Sequence, residues 1–427
     1  MDVHLSSYGA ASTRPSPVNR MMAAFSSTFR DGFDINLGVG YVNEKTILAS
    51  LLEEALRAVA ADPGTYRQPF NYGSPVGSSN LIAAIRRFLM RSGLGQLDSG
   101  TLDRKRLAIG ACGATSVLDS MAEILKPGIV ITSDPSYYIY TDALERKGFE
   151  VLAVPEDCEG ISLDALDRKL HALGDRARDI SFFYVVTVNN PSCTILSNAR
   201  RRALYDVAAS LSIQQGRRIP IFFDLAYEWL LHDPLVEPMA SVLPIDDLDI
   251  AYEIGTLSKV IAPALRIGYL LGPDGPFFTA MVQKTSDSGF SSPPFVQEMA
   301  AWVLDHAIED QLRAVNSGYR QKAVAVRSAI DEQLGPHLAE CRGGRAGFYF
   351  YLTMSEVETH HASTFFRTLT ETPPERPRIV YIPGDYCVHP RGDLAAAGQR
   401  QLRLSYGFES APVIVRALTV MREALPQ

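Results

Sequence analysis

The sequence predicts an α/β protein: a mostly parallel sheet covered by helices on both faces, followed by a smaller α+β domain. Three observations carry this. Strand-like apolar runs alternate with helical stretches from residue 107 to residue 256. The runs are apolar at most positions, as in strands buried on both faces. From Phe295 the alternation gives way to long helical stretches and three further strands.

The elements follow in order. Residues 1–30 are polar, with Pro15 and Pro17, and read as a loose arm or one that docks on a partner. Asp34 to Tyr41 reads as a short strand entering glycine turns, and Ile47 to Ala61 as a helix stopped by Asp62-Pro63-Gly64. Phe70 to Pro75 is a loop, and Leu81 to Leu89 has helical period. Leu107-Ala108-Ile109 is a strand, Gly110 to Ser116 a glycine turn, and Val117 to Leu125 a helix. The amides at that helix start form an anion site, or the glycines serve close helix packing. Strands then recur at 129–132, 150–154, 182–188 and 219–223, with helices at 140–147, 163–173 and 199–211 between them. Ile250, Tyr252 and Ile254 recur at period two before Gly255. Parallel sheets present functional groups at the C-terminal ends of their strands. Those ends carry Tyr137, Asn190, Asp224 and Lys259. Helices are expected at 296–304, 307–330 and 411–424, and strands at 347–352, 378–382 and 401–406.

A chain of 427 residues exceeds one simple core, so two domains are expected. Net charge is −7 with no long basic run, which argues against a nucleic-acid partner. No apolar stretch reaches the ~18 residues that a membrane span needs. No charged segment followed by an apolar core marks a signal peptide. Cys112, Cys158, Cys193, Cys341 and Cys387 are scattered without CxxC spacing. That suggests reduced thiols in a cytoplasmic protein, with neither disulfides nor a metal site.

The chemistry concentrates in Gly255-Thr256-Leu257-Ser258-Lys259, with Arg266 downstream. A lysine there can form a Schiff base with an aldehyde, and Arg266 can clamp a phosphate. Pyridoxal 5′-phosphate (PLP) needs both on one molecule; the plain alternative is a solvated lysine in a turn. PLP also needs a carboxylate at its pyridine nitrogen, which Asp224 at the end of IPIFFD supplies, unless it only caps a helix. Tyr137 can stack on the ring or pack in the core. Asn190 and Tyr227 can donate to the phenolate oxygen. The Ala114 and Thr115 amides, Thr256, Ser258 and Arg266 can hold the phosphate.

With these motifs the chain resembles the fold-type I PLP enzymes of the class I/II aminotransferase branch, over residues 34–424. The family's lysine motif stands as TLSKVIAPALRIGY (256–269), its D-x-A-Y as Asp224 to Tyr227, and its N-P-T-G as Asn190-Pro191-Ser192-Cys193. P-x-Y stands as Pro135-Ser136-Tyr137, and the late elements as Pro383-Gly384 and Arg403-Leu404-Ser405-Tyr406. The resemblance implies a mainly parallel seven-stranded sheet sandwiched by helices. It divides the chain into an arm with part of the small domain (1–46), a large PLP-binding domain (47–305) and a C-terminal small domain (306–427). It implies that Arg403 binds the substrate α-carboxylate, helped by the Gly40 amide and Asn190. It also implies a homodimer in which Tyr72 reaches the neighbour's phosphate. Cys193 and Ala264 replace family glycines, and Cys193 reads as a packing residue. The phosphate turn CGATS is similar to that of the 1-aminocyclopropane-1-carboxylate synthases.

The implied activity is amino-group transfer between an L-amino acid and a 2-oxo acid. One alternative is a PLP lyase or cyclase acting by β- or γ-elimination on an amino acid or an S-adenosylmethionine-like substrate. Both begin with proton removal from Cα by Lys259. Another is a PLP-sensing regulator of the same fold.

Overall fold

Apolar runs such as Ile180 to Val186 fold as central strands because both of their faces find cover. The structure, a computed structural model, describes residues 3–67 and 69–426. Its large sheet comprises β1 (Lys105–Ile109), β2 (Ile129–Asp134), β3 (Glu150–Asp157), β4 (Ile180–Val186), β5 (Ile221–Asp224), β6 (Ala251–Thr256) and β7 (Gly268–Pro273). Their spatial order is β1-β7-β6-β5-β4-β2-β3, and a two-residue strand, Gly160–Ile161, extends the β3 edge. All run parallel except β7, which lies antiparallel between β1 and β6. Side chains alternate across the sheet. Phe182, Tyr184, Phe222, Tyr252 and Ile254 meet Met121 of helix Gly113–Ile124 and Phe278 of helix Pro276–Asp287. Phe183, Val185, Ile221, Phe223 and Ala251 join the larger core on the other face.

The second sheet is antiparallel. It contains β8 (Leu338–Gly343), β9 (Tyr349–Met354), β10 (Ile382–Pro383) and β11 (Gln401–Ser405), in the order β8-β9-β11-β10. Ile35–Asn36 pairs in parallel with Ile379–Val380, and the Ser405 amide donates to the Leu37 carbonyl at 2.7 Å. These bonds bring the Gly38–Gly40 backbone beside Arg403 of β11.

Two expectations need correction. The arm contains helices Ser7–Ser12 and Pro17–Ser26, each capped by a serine hydroxyl, Ser6 and Ser16. Val18 and Phe25 of the second are buried. Their spacing with Met21 and Met22 is that of an apolar helix face, which overrides the polar composition. Met1 and Asp2 lie outside the described residues. Strand β7 and the helix after it also escape the alternation pattern, because an antiparallel return needs no crossover helix.

Candidate functional site

One cavity opens at the C-terminal ends of the parallel strands. It is lined by Ala114, Thr115, Tyr137, Asn190, Asp224, Tyr227, Thr256, Ser258, Lys259 and Arg266, with Tyr184, Val186 and Leu118 behind them. Ten of the thirteen residues singled out from the sequence or the resemblance therefore share it, with Arg403 and Gly40 next to it through hydrogen bonds described below. Tyr72 does not. It is 87% exposed, packs at a tilt against Phe290 with ring centres 5.9 Å apart, and is not among the residues that line this cavity.

The anion cup comes from the meeting of β7 with the helix Gly113–Ile124. Gly268 is required there, since a Cβ would lie 2.1 Å from the Ala114 nitrogen. Arg266 takes a left-handed φ of 52°, and its guanidinium donates to the Cys112 and Pro263 carbonyls at 3.3 and 3.2 Å. The Thr256 hydroxyl donates to the Ile267 carbonyl at 2.8 Å and lies 3.0 Å from the Ser258 hydroxyl. Free helix amides, two hydroxyls and a fixed guanidinium suit a phosphate.

Asp224 is buried at the end of β5. One oxygen accepts the Tyr184 hydroxyl at 2.7 Å and the other accepts the Ala226 amide at 2.9 Å. Burial pushes its carboxyl up, while these donors and the charge of Lys259 oppose that. The Ala226 bond is a local turn, so Asp224 does not act as a helix cap.

Lys259 follows β6. Burial pushes its amine down to about 8, with Arg266 and Arg403 acting the same way and Asp224 opposing. Its Nζ donates to the Gly40 carbonyl at 3.5 Å and lies 5.5 Å from the Tyr227 ring. Arg403 is 2% exposed, donates to Asn190 Oδ1 at 2.7 Å and to the Gly38 carbonyl at 2.6 Å, and leaves Nε without a partner. Among the described residues no carboxylate pairs with it. Its guanidinium sits 4.3 Å from the centre of the Tyr349 ring. Arg403 is therefore not part of a surface ion pair.

Sequence reasoning missed Tyr184, Tyr349 and Gly38. Tyr184 had a signal: it carries the one hydroxyl within the run Phe182 to Val186. Cys193 is buried with φ 51°, and burial pushes its thiol up to about 12, as a packing residue requires.

The family model of aminotransferase class I and II matches residues 34–406. The chain belongs to that family. It adopts the PLP-dependent fold type I, and PLP is the cofactor that membership assigns. The residues present fit it: an amine that is buried and, among the described residues, lacks an ion-pair partner, a buried carboxylate and an anion cup line one cavity. The chain is similar to an uncharacterized HTH-type transcriptional regulator, YdfD, of Bacillus subtilis, at 23% identity over 74% of this chain and 61% of that one. It is also similar to aromatic-amino-acid aminotransferase 1 of Thermococcus litoralis, at 22% identity over 57% of each. These matches span about three fifths of the relatives' length. A solved multiple substrate aminotransferase from Thermococcus profundus superimposes with TM-score 0.84 at 18% identity, over 98% of this chain and 96% of that one. No helix of the described residues is long and apolar enough to cross a membrane.

Proposed function

We propose that the protein is a PLP-dependent aminotransferase moving an amino group between an L-amino acid and a 2-oxo acid. The observation that carries this is Arg403: a buried guanidinium with no carboxylate partner among the described residues and one free N–H edge beside a buried lysine. Leaving such a charge unpaired costs several kcal/mol unless a ligand completes it. An α-carboxylate does so with two-point geometry, with Asn190 and the Gly40 amide alongside.

Lys259 would hold the cofactor covalently, Asp224 its ring nitrogen, Tyr137 its ring face, and Asn190 and Tyr227 its phenolic oxygen. Ala114, Thr115, Thr256, Ser258 and Arg266 would hold its phosphate. When bound, PLP supplies a sink for the electrons of the Cα–H bond. Arg403 orients that bond by fixing the carboxylate. The amine of Lys259, already pushed down to about 8, takes the Cα proton and can return it elsewhere. Tyr184 and Ala226 donate to Asp224 and favour its charged form against the opposing pull of burial.

We further take 47–305 as the cofactor domain, with 1–46 and 306–427 forming the smaller one, and place the reaction in the cytoplasm, in keeping with five unpaired thiols. The protein is proposed to act as a homodimer. Tyr72, exposed and outside the lining of its own chain's cavity, is free to serve the neighbour's phosphate.

The likeness to YdfD favours a second reading, in which the chain binds PLP and amino acids to regulate rather than to turn over. One experiment separates the readings: PLP-loaded protein mixed with a panel of L-amino acids and no oxo acid. An aminotransferase converts its cofactor once to pyridoxamine phosphate and stops, and Arg403→Ala blocks this. Product over many turnovers with the aldehyde retained overturns the proposal in favour of the lyase or cyclase. A spectral change with no product supports the regulator.

A further inference from the structure

The substrate anchor and the cofactor donor touch a common residue. Tyr349 of β9 is buried, and the Arg403 guanidinium carbon lies over its ring, 4.3 Å from the ring centre. Its hydroxyl is 3.0 Å from that of Tyr227. Among the described residues Tyr227 is its only hydrogen-bond partner. The chain leaves room for that hydroxyl: a Cβ at position 40 would lie 2.7 Å from it, and residue 40 is glycine. The Gly40 carbonyl in turn accepts the Lys259 amine.

Only one proton can lie between two hydroxyls. If Tyr227 gives its proton to an acceptor in the cavity, Tyr349 must be the donor of the shared bond. We propose that Tyr349 is a positioning residue that joins the carboxylate anchor to the cofactor donor: its ring supports Arg403, and its hydroxyl donates to Tyr227 and turns the Tyr227 proton into the cavity. This rests on the aminotransferase reading and adds a division of labour within one side chain. The ring serves substrate affinity, and the hydroxyl serves the electronic state of the cofactor.

The other titratable or charged groups facing this pair are Tyr137, Tyr138, Cys193, Lys259 and Arg403. Burial keeps Tyr137, Tyr138 and Cys193 protonated well past neutral pH, and Arg403 stays charged. Lys259 is taken up by the cofactor. A shift seen near neutral pH in a Tyr349 variant therefore reports the cofactor and its Tyr227 bond.

The test loads wild type, Tyr349→Phe, Tyr349→Leu and Tyr227→Phe with PLP and titrates visible absorbance with pH. Propionate serves as an unreactive probe of Arg403. A hydrogen bond to the deprotonated phenolic oxygen lowers the midpoint, so loss of the Tyr227 proton raises it. Tyr227→Phe should raise it most. Tyr349→Phe should raise it by ~0.3–1 unit, in line with one net hydrogen bond. It should leave propionate affinity within twofold. Tyr349→Leu should also weaken propionate about fivefold or more, having lost the cation–π support. An unmoved midpoint in Tyr349→Phe, with Tyr227→Phe shifted, overturns the inference and leaves the aminotransferase reading standing. Equal loss of propionate binding in both Tyr349 variants overturns the division between ring and hydroxyl. A wild type that takes up no PLP overturns the cofactor reading, and this inference with it.

Discussion

The two ends of the site are built in opposite ways. At the cofactor end, Asp224, Thr256, Ser258, Lys259 and Arg266 come from two neighbouring strand ends and the turn between β6 and β7. Most of their polar atoms have internal partners: Tyr184 and Ala226 for Asp224, Ile267 for Thr256, Cys112 and Pro263 for Arg266. At the substrate end, Arg403, Asn190 and the Gly38–Gly40 backbone come from three distant segments. There a buried guanidinium has, among the described residues, neutral partners only. The first end is a finished socket, while the second is electrostatically incomplete until a carboxylate arrives. Variants at the first should damage chemistry, and variants at the second should damage affinity for carboxylates.

The largest effect is expected at Lys259. Lys259→Ala should lose the half-reaction by about 10⁴-fold or more, because covalent anchor and base vanish together. It should still retain PLP through the cup, measured by equilibrium dialysis. In the cofactor-free protein the same lysine is a liability. Its folded pKa of about 8 lies below its unfolded value, so folding releases a proton between about pH 8 and 10.5, while at neutral pH the charge stays on and its burial costs stability. Stability should then rise as pH passes from 8 to 10.5. Lys259→Met should be more stable than wild type at pH 7 by roughly 1–3 kcal/mol, discounted for the opening of the cavity to solvent. Denaturant titrations should show that gap closing by pH 10.5.

Next is Arg403. Arg403→Leu should lower kcat/KM by roughly 10²–10³-fold, the loss typical of one partner in a buried charge pair. Arg403→Lys should recover little, since an ammonium cannot make the two-point contact. The comparison predicts a further difference: propionate should raise the melting temperature of wild type and leave that of Arg403→Leu unchanged. A carboxylate shift that survives in Arg403→Leu would place the anchor elsewhere.

How much of this was legible follows from where the chemistry lies along the chain. Lys259 and Arg266 stand seven positions apart and Asp224 to Tyr227 are contiguous, so spacing alone exposed them. Their convergence follows from strand ends pointing the same way, which the alternation of strand and helix predicts. Tyr349 was hidden, because in the run Gly347 to Leu352 an aromatic that supports Arg403 looks like one that fills the core. The pairing of Ile35–Asn36 with Ile379–Val380, which carries Gly38 and Gly40 to Arg403, is a long-range contact with no local signal. The helix Pro17–Ser26 was legible after all, in Ser16-Pro17 and the spacing of Val18, Met21, Met22 and Phe25. Composition hid it.

A smaller effect is expected at Tyr184, which acts only through Asp224. Tyr184→Phe removes one of the two donors that favour the charged carboxylate, so burial pushes the carboxyl further up. The half-reaction should slow about three- to tenfold, the worth of one hydrogen bond to a charged group. Propionate affinity should not change, which separates this end of the site from the other. The ring-nitrogen ¹⁵N resonance of labelled PLP should shift toward the unprotonated position in the variant. An unchanged resonance would reduce Tyr184 to packing.

The smallest effect is expected at Cys193, in the turn that carries Asn190 between the two ends. Two opposing contributions meet there. A φ of 51° costs a residue with a Cβ about 1–2 kcal/mol, which glycine would not incur. The thiol, however, is buried, and Gly347 approaches so closely that a Cβ there would lie 3.1 Å from the sulfur. Removing it forfeits about 1 kcal/mol of burial and leaves a small gap. Cys193→Gly should therefore change stability by about 1 kcal/mol or less in thermal unfolding. The half-reaction should stay within twofold, because Asn190 keeps its bond to Arg403. Reactivity sharpens the point. With its thiol pushed up to about 12, Cys193 should resist an alkylating reagent at pH 7.5 that labels the exposed Cys112 and Cys158. Rapid labelling of Cys193 with loss of activity would make this turn part of the reactive site rather than the rigid link between its two ends.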